Sequence, residues 1–312
     1  MIDGSHVLMT PPVLTAIERT ASAHRGRPWT CTGFSDLAAR SSHPAGVLRG
    51  DPFSVFAKVL TGADGPIQAR TELSGLTLIR ELSAATTVAA IGSGRVEVGG
   101  LTVLVFEALS ERPPEDRTTA DWEAIGRTLA AIHDVHGASF GLHESGFFGP
   151  LHQDNRPVNT NTWAQFYRDR RVLAWLATAV DAGSVSSAQA TQIERMTGRL
   201  DDLVGPEPIP TLLHGDAQHH NFVSTPAGAV VIDASPYYGH PEIDLALVDY
   251  FTPVPPQLFA AYAEIHPINP GFAARRELWR LFAYLGILTV DRRSPWSHQF
   301  YDRLAAAVRR YA

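Results

Sequence analysis

The chain has 312 residues, of which 45% are hydrophobic and 19% charged, and this balance is typical of a globular protein with a substantial core. Its net charge of −6 argues against a nucleic-acid-binding protein, which usually carries a basic face. The single cysteine, Cys31, excludes an internal disulfide framework.

The first third of the chain predicts a small lobe of strands and helices. Residues 1–9 lack a basic region followed by an apolar run, so we expect no signal peptide. A strand is predicted over Phe53–Leu60, and a helix over Glu72–Leu82, where leucines and an isoleucine recur at helical spacing. Residues Val96–Phe106 then predict a hairpin that leads into the apolar strand LTVLVF.

Lys58, near the end of the first of these strands, is the only lysine among the 26 lysine and arginine residues. Lysine offers a compact point charge on a flexible stem, whereas arginine offers a wide planar fork. A lysine that holds phosphates in a tight nucleotide cleft would explain why this position was not also filled by arginine. The alternative is chance in a genome that is biased against lysine codons.

After a predicted linker at Glu111–Asp116, helical patterns dominate to the end of the chain. The sequence therefore predicts an α+β protein with two lobes. We place a nucleotide-binding lobe at residues 1–108 and a catalytic and substrate-binding lobe at residues 109–312.

The segment Thr211–Asp233, TLLHGDAQHHNFVSTPAGAVVID, is the centre of the functional prediction. A hairpin centred on Ala227 would place Asn221 directly opposite Asp233, with Cβ atoms roughly 5 Å apart. Two oxygen-bearing side chains at that separation can bind a hard cation such as Mg²⁺. Asp216, at the head of the same loop, would then be close enough to orient an acceptor hydroxyl.

These residues match the parts that kinase-type phosphoryl transfer requires. An aspartate accepts the hydroxyl proton, an asparagine and a second aspartate hold Mg²⁺, and a strand lysine paired with a helix glutamate holds the phosphates of ATP. Lys58 and Glu72 fit the last two roles. Acidic residues are also common at helix starts, which is the alternative explanation for Glu72.

The chain resembles the aminoglycoside phosphotransferase and fructosamine kinase superfamily, which shares the protein-kinase-like fold. The resemblance rests on the motif HGDxxxxN, which is followed by a hydrophobic strand and then by Ile-Asp. The segments IDASPYYGHPEIDLALVDYF and FFGPLHQDNRP are more similar to fructosamine kinases, and the likeness covers most of residues 53–295. The resemblance implies a bilobal kinase-like fold and the use of ATP with Mg²⁺.

Two departures from the fructosamine kinase pattern affect the predicted site. Those kinases typically carry Trp-Ser-Gly in the catalytic loop, where this chain has Gln218-His219-His220, so we expect these three residues to line the acceptor pocket. Their glycine-rich loop is best matched by CTGFSDLA, residues 31–38, with Gly33 and Ser35 near the phosphates.

Further roles follow from the same resemblance. Phe106, Glu107 and Ala108 follow the LTVLVF strand, where the hinge between the lobes should bind adenine. Asp244, in PEIDLA, is expected to face the substrate or to anchor the catalytic loop, although a carboxylate at a helix N-terminus needs neither role. For His214 we expect a structural residue that hydrogen-bonds and shapes the loop.

The acidic net charge, the altered catalytic loop and the Arg-for-Lys, Ala-rich composition favour a cationic antibiotic as the acceptor. It would be an aminoglycoside or a cyclic peptide of the capreomycin and viomycin type, and its phosphorylation would give resistance. The alternatives are a fructosamine or ketosamine kinase and an inactive pseudokinase that acts as a binding module. We expect a cytoplasmic protein with a small-molecule substrate and no nucleic-acid or membrane partner. Its oligomeric state, its nucleotide preference and the acceptor hydroxyl are not predicted.

Overall fold

The N-terminal part of the chain is built on an antiparallel sheet. The structure, a computed structural model, describes residues 6–37, 40–291, 294 and 297–312. Residues 1–5, part of the segment in which the sequence predicts no signal peptide, lie outside the described residues. Within the described residues the sheet has the strand order β1-β2-β3-β5-β4. Its strands are β1 (Gly33–Asp36), β2 (Ala45–Arg49), β3 (Val55–Leu60), β4 (Ala90–Val98) and β5 (Leu101–Glu107).

The alternation of side chains along β3 decides what each face of the sheet contacts. Val55, Ala57 and Val59 point to one face and pack in the same apolar cluster as helix α1 (Pro11–Arg25). Lys58 therefore points to the other face, towards helix α2 (Gly65–Leu82). The strand prediction is confirmed. Because successive side chains of a strand point to opposite faces, the single charged residue of this apolar strand can project towards α2 while its neighbours pack against α1.

The C-terminal part of the chain is mainly helical. Its helices are α3 (Thr119–His133), α4 (Trp163–Phe166), a π-helical segment (Tyr167–Leu173), α5 (Ala174–Asp181), α6 (Ser187–Thr197), α7 (Leu200–Leu203), α8 (Glu242–Leu247), α9 (Pro256–Ala263), α10 (Phe272–Trp279), α11 (Leu281–Val290) and α12 (His298–Tyr311). Helix α11 is the centre of this core, because every side chain from Leu281 to Leu288 is buried. No helix in the described ranges combines the length and apolarity needed to cross a bilayer. The α+β prediction, with an N-terminal sheet and a helical C-terminal part, is confirmed.

The segments between these helices contain three short antiparallel strand pairs. They are β6 (Gly146–Phe148) with β7 (Leu151–Gln153), β8 (Thr211–Leu212) with β11 (Tyr238–Gly239), and β9 (Phe222–Thr225) with β10 (Gly228–Val231). The β9–β10 hairpin is fastened to the N-terminal part, since Val88 N donates to Val231 O (3.0 Å) and Val231 N donates to Thr86 O (2.8 Å). This junction holds the HGD segment next to the face of the sheet that carries Lys58.

Candidate active site

Lys58 is a buried lysine that joins the two parts of the chain through ion pairs with two partly buried carboxylates. Its Nζ lies 2.9 and 3.0 Å from the two carboxylate oxygens of Glu72 and 2.6 Å from Oδ1 of Asp233, and the residue is 5% exposed. Burial lowers the pKa of Lys58, but the charges of Asp233 and Glu72 outweigh burial and hold the pKa above its ordinary value. The lysine is therefore protonated and shared between a helix and the loop that follows β10.

Glu72 does not open its helix. The predicted start at Glu72 is wrong, because α2 begins at Gly65 with Pro66 in its first turn, a position that proline favours. Glu72 lies in the second turn, so a helix-start preference does not explain it. Burial raises the pKa of Glu72. Burial also acts to raise the pKa of Asp233, but Lys58 outweighs it and holds that pKa below its ordinary value.

Side-chain hydrogen bonds of Asp244 and His214 hold the backbone of the HGD turn in place. Asp244 accepts hydrogen bonds from the backbone N–H groups of His214 (2.6 Å) and Gly215 (3.1 Å). His214 Nε2 donates to Ile232 O (3.1 Å), and its Nδ1 accepts from Asp216 N (3.2 Å). Burial lowers the pKa of His214, which favours the neutral ring that both hydrogen bonds require. These contacts are those of a structural residue, the role that the sequence predicts for His214.

Asp216 has the surroundings that a general base needs. Gln218 Nε2 donates to its carboxylate (2.8 Å), and Asn221 Nδ2 donates to its backbone oxygen (2.8 Å). Burial raises the pKa of Asp216 to about 7, and the hydrogen bond from Gln218 opposes part of that rise. Because a base is most effective when its pKa lies near the working pH, this carboxylate is suited to accept a hydroxyl proton.

The predicted pairing of Asn221 with Asp233 is wrong by one residue. In the β9–β10 hairpin Thr225 faces Gly228 and Phe222 faces Val231, and Ile232 N donates to Asn221 O. Asn221 is therefore opposite Ile232, and a shift of one residue would normally send Asp233 to the far face. Asp233 instead leaves the strand with a φ of +51°, and its carboxylate meets Lys58.

Asn221 and Asp233 still offer a donor set that suits Mg²⁺. Asn221 uses its amide nitrogen on Asp216 O, which leaves its amide oxygen as the ligand atom. Lys58 contacts Oδ1 of Asp233, which leaves Oδ2. Hard cations of this size favour a few amide and carboxylate oxygens together with substrate phosphates. The described residues contain no cluster of three or more His, Cys, Asp or Glu side chains arranged for a metal, so a cation here would depend on such phosphates.

Asp244 and His219 do not line the cavity beside Asp216. For Asp244 the sequence left two roles open, facing the substrate or anchoring the catalytic loop. Asp244 is fully buried and pairs with His133 (3.2 Å) as well as with the HGD backbone, so it anchors the catalytic loop. His219 is buried against Trp122, and Arg117 donates to its backbone oxygen (3.0 Å). The 3₁₀ turn at His219–Asn221 therefore places this ring against Trp122 of α3.

The other two residues of the altered loop differ from each other. Gln218 contacts Asp216, so it acts on the predicted base. The ring of His220 lies close to that of His219, with centroids 3.9 Å apart and planes tilted by 37°, and His220 is exposed. Among the described residues, Gln218 and His220 do not line the cavity beside Asp216.

The predicted phosphate-binding loop is also displaced. Gly33 and Ser35 lie inside β1, and Ser35 accepts a hydrogen bond from Arg49 of β2. Ala38, the end of the predicted loop, lies outside the described residues. The connection between β1 and β2 brings Ser42 and His43 to the cavity with Lys58, so these later residues take the place expected for Gly33 and Ser35.

The predicted adenine-binding residues end β5 away from that cavity. Phe106 is buried in the core, and Glu107 forms an ion pair with Arg25 (2.6 Å). The backbone N–H groups of Glu107 and Ala108 are already donated to Ala89 O and Ser54 O. These two N–H groups are therefore not free to bind adenine. Adenine binding through the backbone oxygens and side chains of these residues stays a prediction.

Sequence reasoning missed Arg117. This half-buried side chain donates to Phe222 O (2.5 Å) and His219 O, so it ties the catalytic loop to the segment that precedes α3. It also lies over the ring of Trp122, 5.0 Å from its centre. In a chain so rich in arginine, neither its type nor its spacing distinguishes it from a surface residue.

The comparisons with known proteins identify the family. A family model for fructosamine kinase matches residues 13–290. A probable ketoamine kinase of Synechocystis is 31% identical over 166 residues, which cover 53% of this chain and 55% of that protein. A chloroplastic protein-ribulosamine 3-kinase of rice, Oryza sativa subsp. japonica, is 26% identical over 264 residues, or 83% of this chain and 74% of that protein.

A solved structure agrees with these sequences. It belongs to a Thermobifida fusca protein that was named as a candidate fructosamine-3-kinase. The two chains are 27% identical with a TM-score of 0.78, and the likeness covers 94% of this chain and 99% of the other. The kinase prediction is confirmed. The prediction of an antibiotic acceptor is wrong, since the family and these relatives are kinases named for sugar-amine compounds. The chain belongs to the fructosamine kinase family.

Proposed function

We propose that this protein is a ketosamine kinase, which transfers the γ-phosphate of ATP to a hydroxyl of a sugar-amine adduct. The observation that carries the proposal is the convergence of Asp216 and Asp233 with Lys58 on one cavity. Family membership and the names of the relatives support the sugar-amine class of acceptor.

The cluster of Lys58, Glu72 and Asp233 accounts for phosphate binding. Lys58 Nζ is a point charge that is held in place by two carboxylates, so little reorganisation is needed when a phosphate oxygen arrives. Asn221 and Asp233 are the residues that would hold Mg²⁺, which, when bound, neutralises charge on the transferred phosphate. Glu72 keeps the lysine oriented from α2.

Asp216 acts on the acceptor. Its carboxylate accepts the proton of the acceptor hydroxyl as the hydroxyl oxygen forms its bond to the γ-phosphorus, and the bond between that phosphorus and the ADP oxygen breaks. Gln218 fixes the carboxylate by a 2.8 Å hydrogen bond. Most of the rate enhancement in such a site comes from positioning and charge neutralisation rather than from covalent chemistry.

In this proposal the nucleotide lies between residues 1–108 and residues 109–312, which act as two lobes. The β9–β10 hairpin bonds to the segment before β4, so the metal-binding residues are fixed to both lobes. The cytoplasmic location and the hinge role of Phe106, Glu107 and Ala108 belong to the same proposal.

A coupled ADP-release assay with ATP, Mg²⁺ and a fructosyl-amine tests the function. We expect turnover by the wild type and a fall in kcat of roughly 10²–10⁴-fold in Asp216→Asn, with ATP binding retained. Glu194→Gln, an exposed change on α6, is the control. A wild type that leaves the fructosyl-amine unphosphorylated, or an Asp216→Asn variant with full turnover, would overturn the proposal.

A further inference from the structure

A cavity of about 410 Å³ opens beside Asp216, between helix α2 and the loop that enters the β6–β7 hairpin. Its size falls in the range of small-molecule sites. Lys58 and Asp233 mark one end, where the phosphates would bind. The remaining space extends along α2 towards Glu81 and faces Glu144 on the hairpin side.

The ionised side chains around this cavity are mostly of one sign. In the described part of the chain, Lys58 is the cavity's only lysine or arginine, and the acidic residues that line it are Glu72, Asp233, Asp216, Glu81 and Glu144. Glu72 and Asp233 are paired with Lys58. Glu81 and Glu144 are exposed, and within the described ranges neither forms an ion pair. Carboxylates on both walls of a concave site attract a cation.

Gln68 provides an independent sign of a ligand. Its side-chain oxygen is buried without a hydrogen-bond partner, and the residue is 8% exposed although it lines the cavity. A buried acceptor without a donor costs free energy unless a ligand or water supplies one. Gln68 lies one helical turn before Glu72, so its amide oxygen is close to the phosphate end of the cavity.

The spacing along α2 fits one elongated acceptor. Glu81 follows Gln68 by thirteen residues, which is roughly 20 Å along a helix axis. A sugar chain joined to an amine-bearing side chain has a length of that order. The hydroxyl groups of such a molecule match Gln68 at the inner end, and its cationic end matches Glu81 and Glu144 at the outer end.

We propose that the cavity between α2 and the β6–β7 loop is the acceptor subsite, in which Gln68 accepts a sugar hydroxyl and Glu81 with Glu144 binds the positively charged amine-bearing end. The proposal rests on the ketosamine kinase function and adds the part of the acceptor that the enzyme reads. The N-terminal helix α2 thus takes part in acceptor selection as well as in holding Lys58.

Calorimetric titration with fructosyl-lysine in its carboxamide form, whose outer end carries an amine and no carboxylate, tests the subsite without turnover. The titration is made in the presence of a non-hydrolysable ATP analogue and Mg²⁺. We expect Glu81→Gln/Glu144→Gln to raise the Kd for fructosyl-lysine at least tenfold and to remove most of its dependence on ionic strength. The Kd for the ATP analogue should stay unchanged in the double variant. Glu194→Gln removes one carboxylate from the exposed surface of α6, so this variant should have the same Kd for fructosyl-lysine as the wild type.

Gln68→Leu separates hydroxyl recognition from charge. It should weaken fructosyl-lysine binding while the dependence on ionic strength remains. An unchanged Kd in the double glutamine variant overturns the subsite, and so does a wild type that does not bind fructosyl-lysine. Binding that depends on Glu81 and Glu144 in a wild type that does not phosphorylate the molecule keeps the subsite and overturns the kinase proposal instead.

Discussion

The carboxylate of Asp244 accepts a hydrogen bond of 2.6 Å from the backbone N–H of His214, thirty residues earlier in the chain. The second oxygen of the same carboxylate accepts from Gly215, the residue before Asp216. A side chain at the start of α8 therefore sets the backbone direction from which the predicted base projects.

Asp244→Asn tests this anchoring. The amide would present an N–H₂ group to a backbone N–H, so two buried donors would face each other. We expect the free energy of unfolding to fall by roughly 2 kcal/mol and kcat to fall with it. Urea unfolding and the ADP-release assay measure the two effects. Asp201→Asn, an exposed change on α7, should alter neither. Full kcat in Asp244→Asn would show that Asp216 does not need this anchor.

Gly215→Ala tests the close approach behind the base. Gly215 has a φ of +83°, and a Cβ at this position would overlap with the carbonyl oxygen of Ser235. Backbone strain and this collision together should cost roughly 3 kcal/mol. Gly99 also has a positive φ, +59°, but open space around it, so Gly99→Ala should cost only about 1 kcal/mol. Equal losses in thermal or urea unfolding would contradict the collision.

Lys58→Arg and Lys58→Met separate charge from shape. Arginine keeps the charge between Glu72 and Asp233, but its wide fork cannot occupy the same position, so we expect kcat/KM for ATP to fall roughly 10²-fold. Methionine leaves the partly buried carboxylates of Glu72 and Asp233 without their cation, which should reduce the free energy of unfolding by roughly 1–3 kcal/mol. Arg127→Met breaks an exposed pair with Glu123 and should cost less than about 1 kcal/mol. A fully active arginine variant would contradict the phosphate role.

His240 predicts how stability depends on pH. The buried ring packs near Trp279 and accepts a hydrogen bond from Glu242 N (3.1 Å), and burial lowers its pKa from 6.5 to about 4. Below pH 6.5 the unfolded chain takes up a proton that the folded chain refuses, so stability is lost as pH falls. The loss from this residue should reach roughly 2 kcal/mol at pH 5.

His240→Asn isolates that contribution. Asparagine keeps an acceptor for Glu242 N and does not titrate, so the variant should lose less stability than the wild type between pH 7 and pH 5. Urea unfolding at the two values measures the difference. The same pH dependence in both proteins would show that the pKa of His240 does not differ between the folded and the unfolded chain.

The sequence predicted the site where chemistry restricts the residue type. HGD, Asn221, Asp233 and the lone Lys58 stand out by composition and spacing, and the structure brings them together. The hairpin register was off by one because the turn contains two residues, Pro226 and Ala227, and the positive φ of Asp233 then restores the geometry. Backbone changes of this kind leave no mark in a hydrophobic pattern.

Other features depend on packing between distant segments. The buried side of His219 is set by α3 and Arg117, which are about a hundred residues away in sequence. The acceptor was mispredicted because net charge describes the whole surface, whereas selectivity depends on the few side chains that line one cavity. Gln68, Glu81 and Glu144 come from segments whose meeting no local spacing reveals.

The chain's only lysine is 5% exposed and held protonated by two carboxylates. Reducing sugars attach to proteins through attack of an uncharged amine on the sugar carbonyl. The positive charges elsewhere in the chain are supplied by arginines, which do not offer that nucleophile because guanidinium groups stay protonated. This member of the fructosamine kinase family therefore has no accessible lysine side chain, within the residues described, that could become the kind of adduct on which the proposed function acts.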